Sequence, residues 1–301
     1  MKNKIKILYK SGLSAYQIMQ KLHIASKELV YNVIHEEKLT RDYEECRHPG
    51  LNSRYFKNID TEEKAYILGL IFADGCVRKN RPGMTLALHP NDLYMLRRIK
   101  DILGTKAKIQ ISKQPLAVYY INNKQMRLDV IAKGCLPQKS LRGGKPKNIP
   151  IKYTHHFIRG IFDGDGSIYI RKVPHLRYCF DISGNIDVVS WCHKRLKLYT
   201  KITKHRSIFR LETTNLIEVV RIFNYLYKDS TIFLKRKKAL FEKACAALDR
   251  KIKGVNQGKT VKTRDGQYRA KRKDSKQALR SVEHRNLINI IFPRVLDILI
   301  G

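Results

Sequence analysis

The 301-residue sequence predicts an α+β protein, a duplicated αββαββα core with pseudo-twofold symmetry preceded by a small all-α module. Three observations carry that prediction. The block Ile67-Leu68-Gly69-Leu70-Ile71-Phe72-Ala73-Asp74-Gly75 returns 91 residues later as Ile158-Arg159-Gly160-Ile161-Phe162-Asp163-Gly164-Asp165-Gly166. After each block the chain runs in parallel: strand-like stretches cover 76–90 and 107–121 in one copy and 168–182 and 201–212 in the other. Asn91-Asp92-Leu93 and Asn185-Ile186-Asp187 open corresponding amphipathic helices. Ahead of the first block, three short runs of helical apolar spacing end by His35.

The division that follows is an all-α module at 1–48, a linker at 49–59, a first repeat at 60–150, a second at 151–249 and a basic extension at 250–301. Periodicity is lost from Arg41 to Asn58, around His48-Pro49-Gly50, which marks the linker. In the extension, the alternation of Thr260–Lys271 about Asp265-Gly266 predicts a hairpin, and an apolar stretch follows from Leu287.

In the all-α module, Ile5, Leu8 and Tyr9 set a first helix that ends near Lys10. Ser14 with Gln17 makes a capping pair for a second, striped by Ile18, Met19 and Leu22. Ser26 is placed to cap a third, with Leu29, Val30 and Val33 toward the core and Lys27, Glu28, Tyr31, Asn32 and His35 outward. The run Leu-Tyr-x-Ser-Gly-Leu-Ser-x-x-x-Ile, then Ser-x-x-x-Val-Tyr, resembles the helix-turn-helix of resolvase-like and homeodomain-like proteins. The resemblance implies DNA contact, with Tyr31 and Asn32 facing bases.

Sixty-one Lys and Arg against 26 Asp and Glu give a formal charge of +35, while 43% hydrophobic residues supply material for packed cores. A disordered basic tail is thereby excluded, and a polyanion, nucleic acid first, is the expected partner. Residues 49–234 carry +19 and 235–286 carry +13, so both stretches are candidate phosphate surfaces. No run of about 18 apolar residues occurs, and Met-Lys-Asn-Lys-Ile-Lys is not a signal sequence. The expectation is a soluble intracellular protein with no membrane partner, cytoplasmic or nucleoid-associated, or in the matrix if organellar. The six cysteines form no C-x-x-C pair, which argues against a zinc ribbon or a disulfide framework.

Within each nonapeptide, small residues recur at i and i+4, Gly69 with Ala73 and Gly160 with Gly164. Such faces allow two helix backbones to approach closely. If the copies pack through them, Asp74 and Asp165 arrive at one place, with Gly75 and Gly166 expected as the left-handed residues that end the helices. An acid at a helix C-terminus is opposed by the macrodipole, and a bound cation reverses that balance. Two carboxylates under a basic surface suit Mg²⁺ and phosphodiester hydrolysis.

These two blocks together resemble the LAGLIDADG homing endonucleases in their single-chain, two-repeat form, over roughly residues 60–245. The resemblance implies a site-specific double-strand DNA endonuclease with Mg²⁺, Mn²⁺ being able to substitute, and a monomer cutting a long asymmetric target. Asp74 and Asp165 become metal ligands, with Gly75 and Gly166 beside them in the metal site. The earlier acid position of the motif is Phe72 in one copy and Asp163 in the other, a departure that leaves Asp163 as a helix-end polar residue.

The family also places a lysine near each metal site. Lys139, in Leu136-Pro137-Gln138-Lys139-Ser140, and Lys235, in Phe233-Leu234-Lys235-Arg236-Lys237-Lys238, are assigned that role, with Lys237 the alternative to Lys235. DNA reading is expected from Arg78, Lys79, Arg81, Lys108, Lys113, Arg171, Lys172, Arg177, Lys204, Arg206 and Arg210 in the strand stretches. Two other readings of the same fold stand: a DNA-binding regulator without cleavage, which has no need of both aspartates, and a maturase bound to host intron RNA.

Overall fold

The computed structural model describes residues 1–11, 13–39, 51–105, 107–112, 115–139, 143–172, 176–256, 261–262 and 268–269. Its first three helices are α1 (Lys2–Lys10), α2 (Ala15–Lys21) and α3 (Lys27–Glu36), packed around Ile5, Ala15, Ile18, Val30, Val33 and Ile34. Ser14 and Gln17 form the reciprocal capping box at the start of α2. Ser26 stands at the N-cap of α3 but makes no side-chain cap bond there. The buried stripe of α3 also differs from expectation. Val30, Val33 and Ile34 fill it, and Leu29, one step outside that arc, is 52% exposed. Lys2 pairs with Glu36 at 2.7 Å and Lys6 pairs with Glu37, tying α1 to the end of α3.

From Tyr55 the chain belongs to a second, larger core. Tyr55, Phe56 and Ile59, within the segment expected as a linker, are buried in it. The first repeat runs α4 (Glu62–Asp74), β1 (Gly75–Val77), β2 (Met84–Leu88), α5 (Leu93–Ile102), β3 (Ile109–Ile111), β4 (Ala117–Ile121) and α6 (Lys124–Ala132). The second runs α7 (Thr154–Asp165), β5 (Gly166–Arg171), β6 (Arg177–Gly184), α8 (Ile186–Leu196), β7 (Thr203–His205), β8 (Ile208–Thr213) and α9 (Leu216–Tyr227). Each repeat has a four-stranded antiparallel sheet, in the orders β1-β2-β4-β3 and β5-β6-β8-β7. The expected αββαββα order therefore occurs twice, with the same topology.

Beyond the repeats, α10 (Lys235–Asn256) passes the boundary expected at Asp249 and buries Phe241 and Ala244. The short strands β9 (Val261–Lys262) and β10 (Tyr268–Arg269) pair antiparallel in a register centred on Asp265, which matches the expected hairpin. The apolar stretch from Leu287 lies outside the described residues. Among the described residues, no helix is long and apolar enough to cross a membrane.

Alternation in the sheets sorts residues into two faces. Met84, Leu86, Leu88, Ala117, Tyr119 and Ile121 turn to the helices in one sheet, as do Ile168, Tyr178, Phe180, Ile182 and Leu211 in the other. The helices α4 and α7 make the most extensive helix–helix contact among the described residues, so the molecule is organised about their crossing.

Candidate functional site

Glycine makes that crossing possible. A Cβ added to Gly160 would stand 2.7 Å from Leu70 N and 3.0 Å from Gly69 C. One added to Gly69 would meet Phe157 O and stand 3.1 Å from Gly160 Cα. Only hydrogen fits at these positions, and the small faces read from the sequence are the surfaces in contact. At the C-terminal ends, a Cβ on Gly164 would touch Ala73 Cβ and come within 3.0 Å of Asp74 Oδ2. Asp74 thus lies against the residue next to Asp165, which brings the two carboxylates to one place.

Both helix ends run straight into strands. Gly75 (φ −81°, ψ 148°) and Gly166 (φ −94°, ψ 165°) are extended, not left-handed as expected, because each is the first residue of a strand. Glycine is required there by contact. A Cβ on Gly75 would stand 2.8 Å from Ile71 Cα, and one on Gly166 would stand 2.7 Å from Phe162 O.

A lysine closes each helix end. Lys139 Nζ donates to Ile71 O at 3.0 Å and also to the carbonyls of Phe72 and Ala73. Lys237 Nζ donates to Phe162 O and Asp163 O, both at 2.6 Å, to Gly166 O at 2.7 Å and to Gly164 O at 3.5 Å. The acceptors 71, 72 and 73 map onto 162, 163 and 164 at the 91-residue shift, so the two lysines are pseudo-symmetric partners. Lys237, not Lys235, is the counterpart of Lys139. Lys235 is exposed, with its Nζ 5.2 Å from the centroid of the Tyr94 ring. A lysine on terminal carbonyls offsets the charge that the macrodipole places there.

Four charges therefore share the helix ends. Burial, then repulsion from Asp165, raises the Asp74 carboxyl to about 6, with Lys237, Lys139 and Arg236 opposing the rise. Asp165 is exposed at its surface yet sits in a recess dense with protein, and this desolvation raises its carboxyl against the pull of Lys139 and Lys237. Burial lowers Lys237 to about 8, and it lowers Lys139 as well. Arg236, whose Nε donates to Asp92 Oδ2 at 3.0 Å, adds a cation near Asp74 that the sequence reading did not single out.

Two carboxylates alone make a sparse ligand set. No group of three or more His, Cys, Asp or Glu suited to a metal occurs among the described residues. Such a set does not match a closed zinc site, but it fits a hard divalent cation whose other ligands are water and phosphate oxygens. The mutual repulsion of Asp74 and Asp165 is the feature such a cation relieves.

Of the expected DNA-facing residues, Arg78 lies on the outward side of the first sheet, over the Tyr120 ring at 5.2 Å, and Lys108 is on the same face by alternation. Lys79 and Arg81 are exposed in the β1–β2 connection. Arg171 and Arg177 are cross-strand neighbours on the outward side of the second sheet, and Lys172 and Arg206 are exposed in its turns. Two placements differ. Arg210 is held by Asp181 (2.7 Å) and Glu212 (3.7 Å), acids on the same outward face. Lys204 is in register with Phe209, which packs toward the core, and so lies on the opposite face from Arg210. Lys113 lies outside the described residues. Tyr31 and Asn32 are exposed on α3, as expected.

No protein-family model and no curated protein sequence matches the chain. Among solved structures it is similar to the LAGLIDADG meganuclease I-AabMI bound to uncleaved DNA, at 14% identity over 63% of this chain and 91% of that one, with a TM-score of 0.48. It is similar to the meganuclease I-SmaMI bound to an uncleaveable DNA at 15% identity, 66% and 92% coverage and a TM-score of 0.48. The LAGLIDADG homing endonuclease I-LtrWI bound to target DNA gives 13% identity, 71% and 95% coverage and a TM-score of 0.46.

Proposed function

We propose that this chain is a LAGLIDADG homing endonuclease that hydrolyses phosphodiester bonds of double-stranded DNA at a long asymmetric target. The observation that carries the reading is the pairing of Asp74 and Asp165 at the crossed ends of α4 and α7, with a lysine on each end. A pair of desolvated, repelling acids weakens the fold locally, and a DNA binder without chemistry has no use for it. Both acids come from one chain, so a monomer suffices, and the differing sheets suit an asymmetric site.

Asp74 and Asp165 would hold the divalent cation, Mg²⁺ with Mn²⁺ as a substitute, and when bound it supplies Lewis acidity toward phosphate oxygens and water. The chain's own groups do the rest. Each lysine ammonium has three N–H donors, and in both cases they are directed at backbone carbonyls at or just past a helix end. Lys139 and Lys237 therefore act from a distance, as fixed positive charge that moderates carboxylate repulsion and favours negative charge developing on a phosphate. Arg78, Lys108, Arg171 and Arg177 supply cations on the outward sheet faces for DNA backbone and bases. The α1–α3 module adds a second DNA contact through Tyr31 and Asn32.

The test is cleavage of a pool of long randomised DNA fragments with Mg²⁺ and with EDTA. Discrete Mg²⁺-dependent double-strand cuts are expected, and they identify the target. Tight binding without cuts would instead indicate a regulator, and preferential binding of structured RNA a maturase.

A further inference from the structure

Asp163 occupies the motif position where the first repeat has Phe72, and it is fully buried. Its Oδ2 accepts from Tyr66 OH at 2.8 Å and from Leu234 N at 2.7 Å, and its Oδ1 accepts from Tyr227 OH at 2.8 Å. These donors come from three places: α4, the end of α9 and the residue just before α10. Leu234 O in turn accepts from Lys237 N at 3.1 Å and Lys238 N at 3.3 Å, so Leu234 fixes the first turn of α10. A carboxylate at a helix N-terminus is favoured by its unpaired N–H groups and its dipole. One turn on, Lys237 Nζ reaches back to the carbonyl of Asp163 itself. The side chain of Asp163 holds the start of α10, and its backbone receives the lysine that α10 carries.

Among the described residues, the first repeat shows no such anchor. Phe72 packs edge-on against Phe157 at 5.1 Å, and Lys139 follows Gln138, whose φ of 58° is left-handed. We propose that Asp163 is the positioning residue for Lys237, and that it therefore governs one of the two helix ends and the DNA strand cut there, leaving the other to Lys139. This inference rests on the endonuclease reading.

The experiment compares wild type, Asp163→Leu and Asp163→Asn on the target recovered from the randomised pool, labelled on each strand, with Mg²⁺. Asp163→Leu is expected to slow one strand at least tenfold and leave the other within twofold, so that a nicked intermediate accumulates. Asp163→Asn should recover most of that loss. Its Oδ1 can accept from Tyr66 and Leu234 while its amide donates to Tyr227 oxygen. Equal slowing of both strands in step with a lowered melting temperature would overturn the proposal, as would unchanged cutting of both.

A second readout needs no DNA. Acylation of lysines in the folded protein, mapped by mass spectrometry, should show Lys237 labelled at least fivefold faster in Asp163→Leu, with Lys139 as the unchanged reference. A constant Lys237 to Lys139 ratio overturns the positioning role whether or not the protein cuts DNA. A raised ratio in a protein that cuts no DNA supports the positioning role and contradicts the endonuclease reading instead.

Discussion

Where α4 presents Leu68 and Phe72, α7 presents Arg159 and Asp163 at the same two steps of the repeat, yet Gly69/Gly160, Asp74/Asp165 and Gly75/Gly166 are the same residue types in both copies. The divergent positions meet different surroundings. The connection from α9 to α10 lies against α7, and its backbone groups need partners once buried. Arg159 donates to Leu226 O at 2.6 Å and Ile232 O at 3.0 Å, and Glu62 accepts from Thr231 N at 2.8 Å and Ile232 N at 3.2 Å. Arg159 and Glu62 also pair at 2.6 Å. Asp163 takes the Leu234 amide. The shared positions thus build the crossing and the acid pair, while Arg159 and Asp163 of α7 satisfy backbone groups around the connection from α9 to α10.

The largest effect that would sharpen this comparison is on chemistry. Asp74→Asn and Asp165→Asn should each reduce double-strand cleavage by at least about two orders of magnitude. Binding, measured by filter retention, should be largely kept. Unequal losses would show that the shared positions are not equivalent.

Next in size are the divergent positions. Arg159→Leu, which copies the first repeat, strands Glu62 and two carbonyls and should cost about 3–5 kcal/mol in denaturant unfolding. Leu68→Met, at the matching place in α4, should cost less than about 1.5 kcal/mol. Similar losses at both would remove the contrast. At the crossing itself, Gly69→Ala or Gly160→Ala should cost about 1–3 kcal/mol, since each new methyl meets the other helix's backbone.

A pH effect separates Asp74 from its surroundings. Its folded pKa of about 6 exceeds the roughly 3.9 of an unfolded carboxyl. The folded state therefore binds that proton more tightly, and the stability this contributes is full below about pH 4 and lost as pH rises through about 6. Without divalent metal, the melting temperature of wild type should fall more between pH 5 and 7 than that of Asp74→Asn. Parallel curves would place the titration elsewhere. The smallest effect belongs to the N-terminal module, where Ser14→Ala removes a cap and should cost that module about 1 kcal/mol, with cutting of the target unchanged.

The duplicated core was legible because backbone demands repeat. Small residues at i and i+4, followed by Asp-Gly, recur at one fixed shift, and the strand alternation that follows is visible in Met84–Leu88 and Ala117–Ile121. The lysines were less legible because their spacing breaks the repeat. Lys237 follows Lys139 by 98 residues, not 91, since the chain from Asp165 to Lys237 is seven residues longer than the chain from Asp74 to Lys139. In a Lys-Arg-Lys-Lys run only the helical phase decides which side chain turns inward, and that phase is set by Leu234 on Asp163. Gly75 and Gly166 are extended because a strand starts at each, and the pairing of Arg210 is not visible in the sequence because the acids that hold it come from two strands.

Whether Asp74 and Asp165 form one site is decided by a double-mutant cycle on Mg²⁺ binding, read by titration calorimetry of the DNA-free protein. If the acids share the cation, each single Asn variant should lose most of the affinity, and the double variant should lose clearly less than the sum of the two. Strictly additive losses, or a single variant that binds Mg²⁺ as the wild type does, would contradict a shared site.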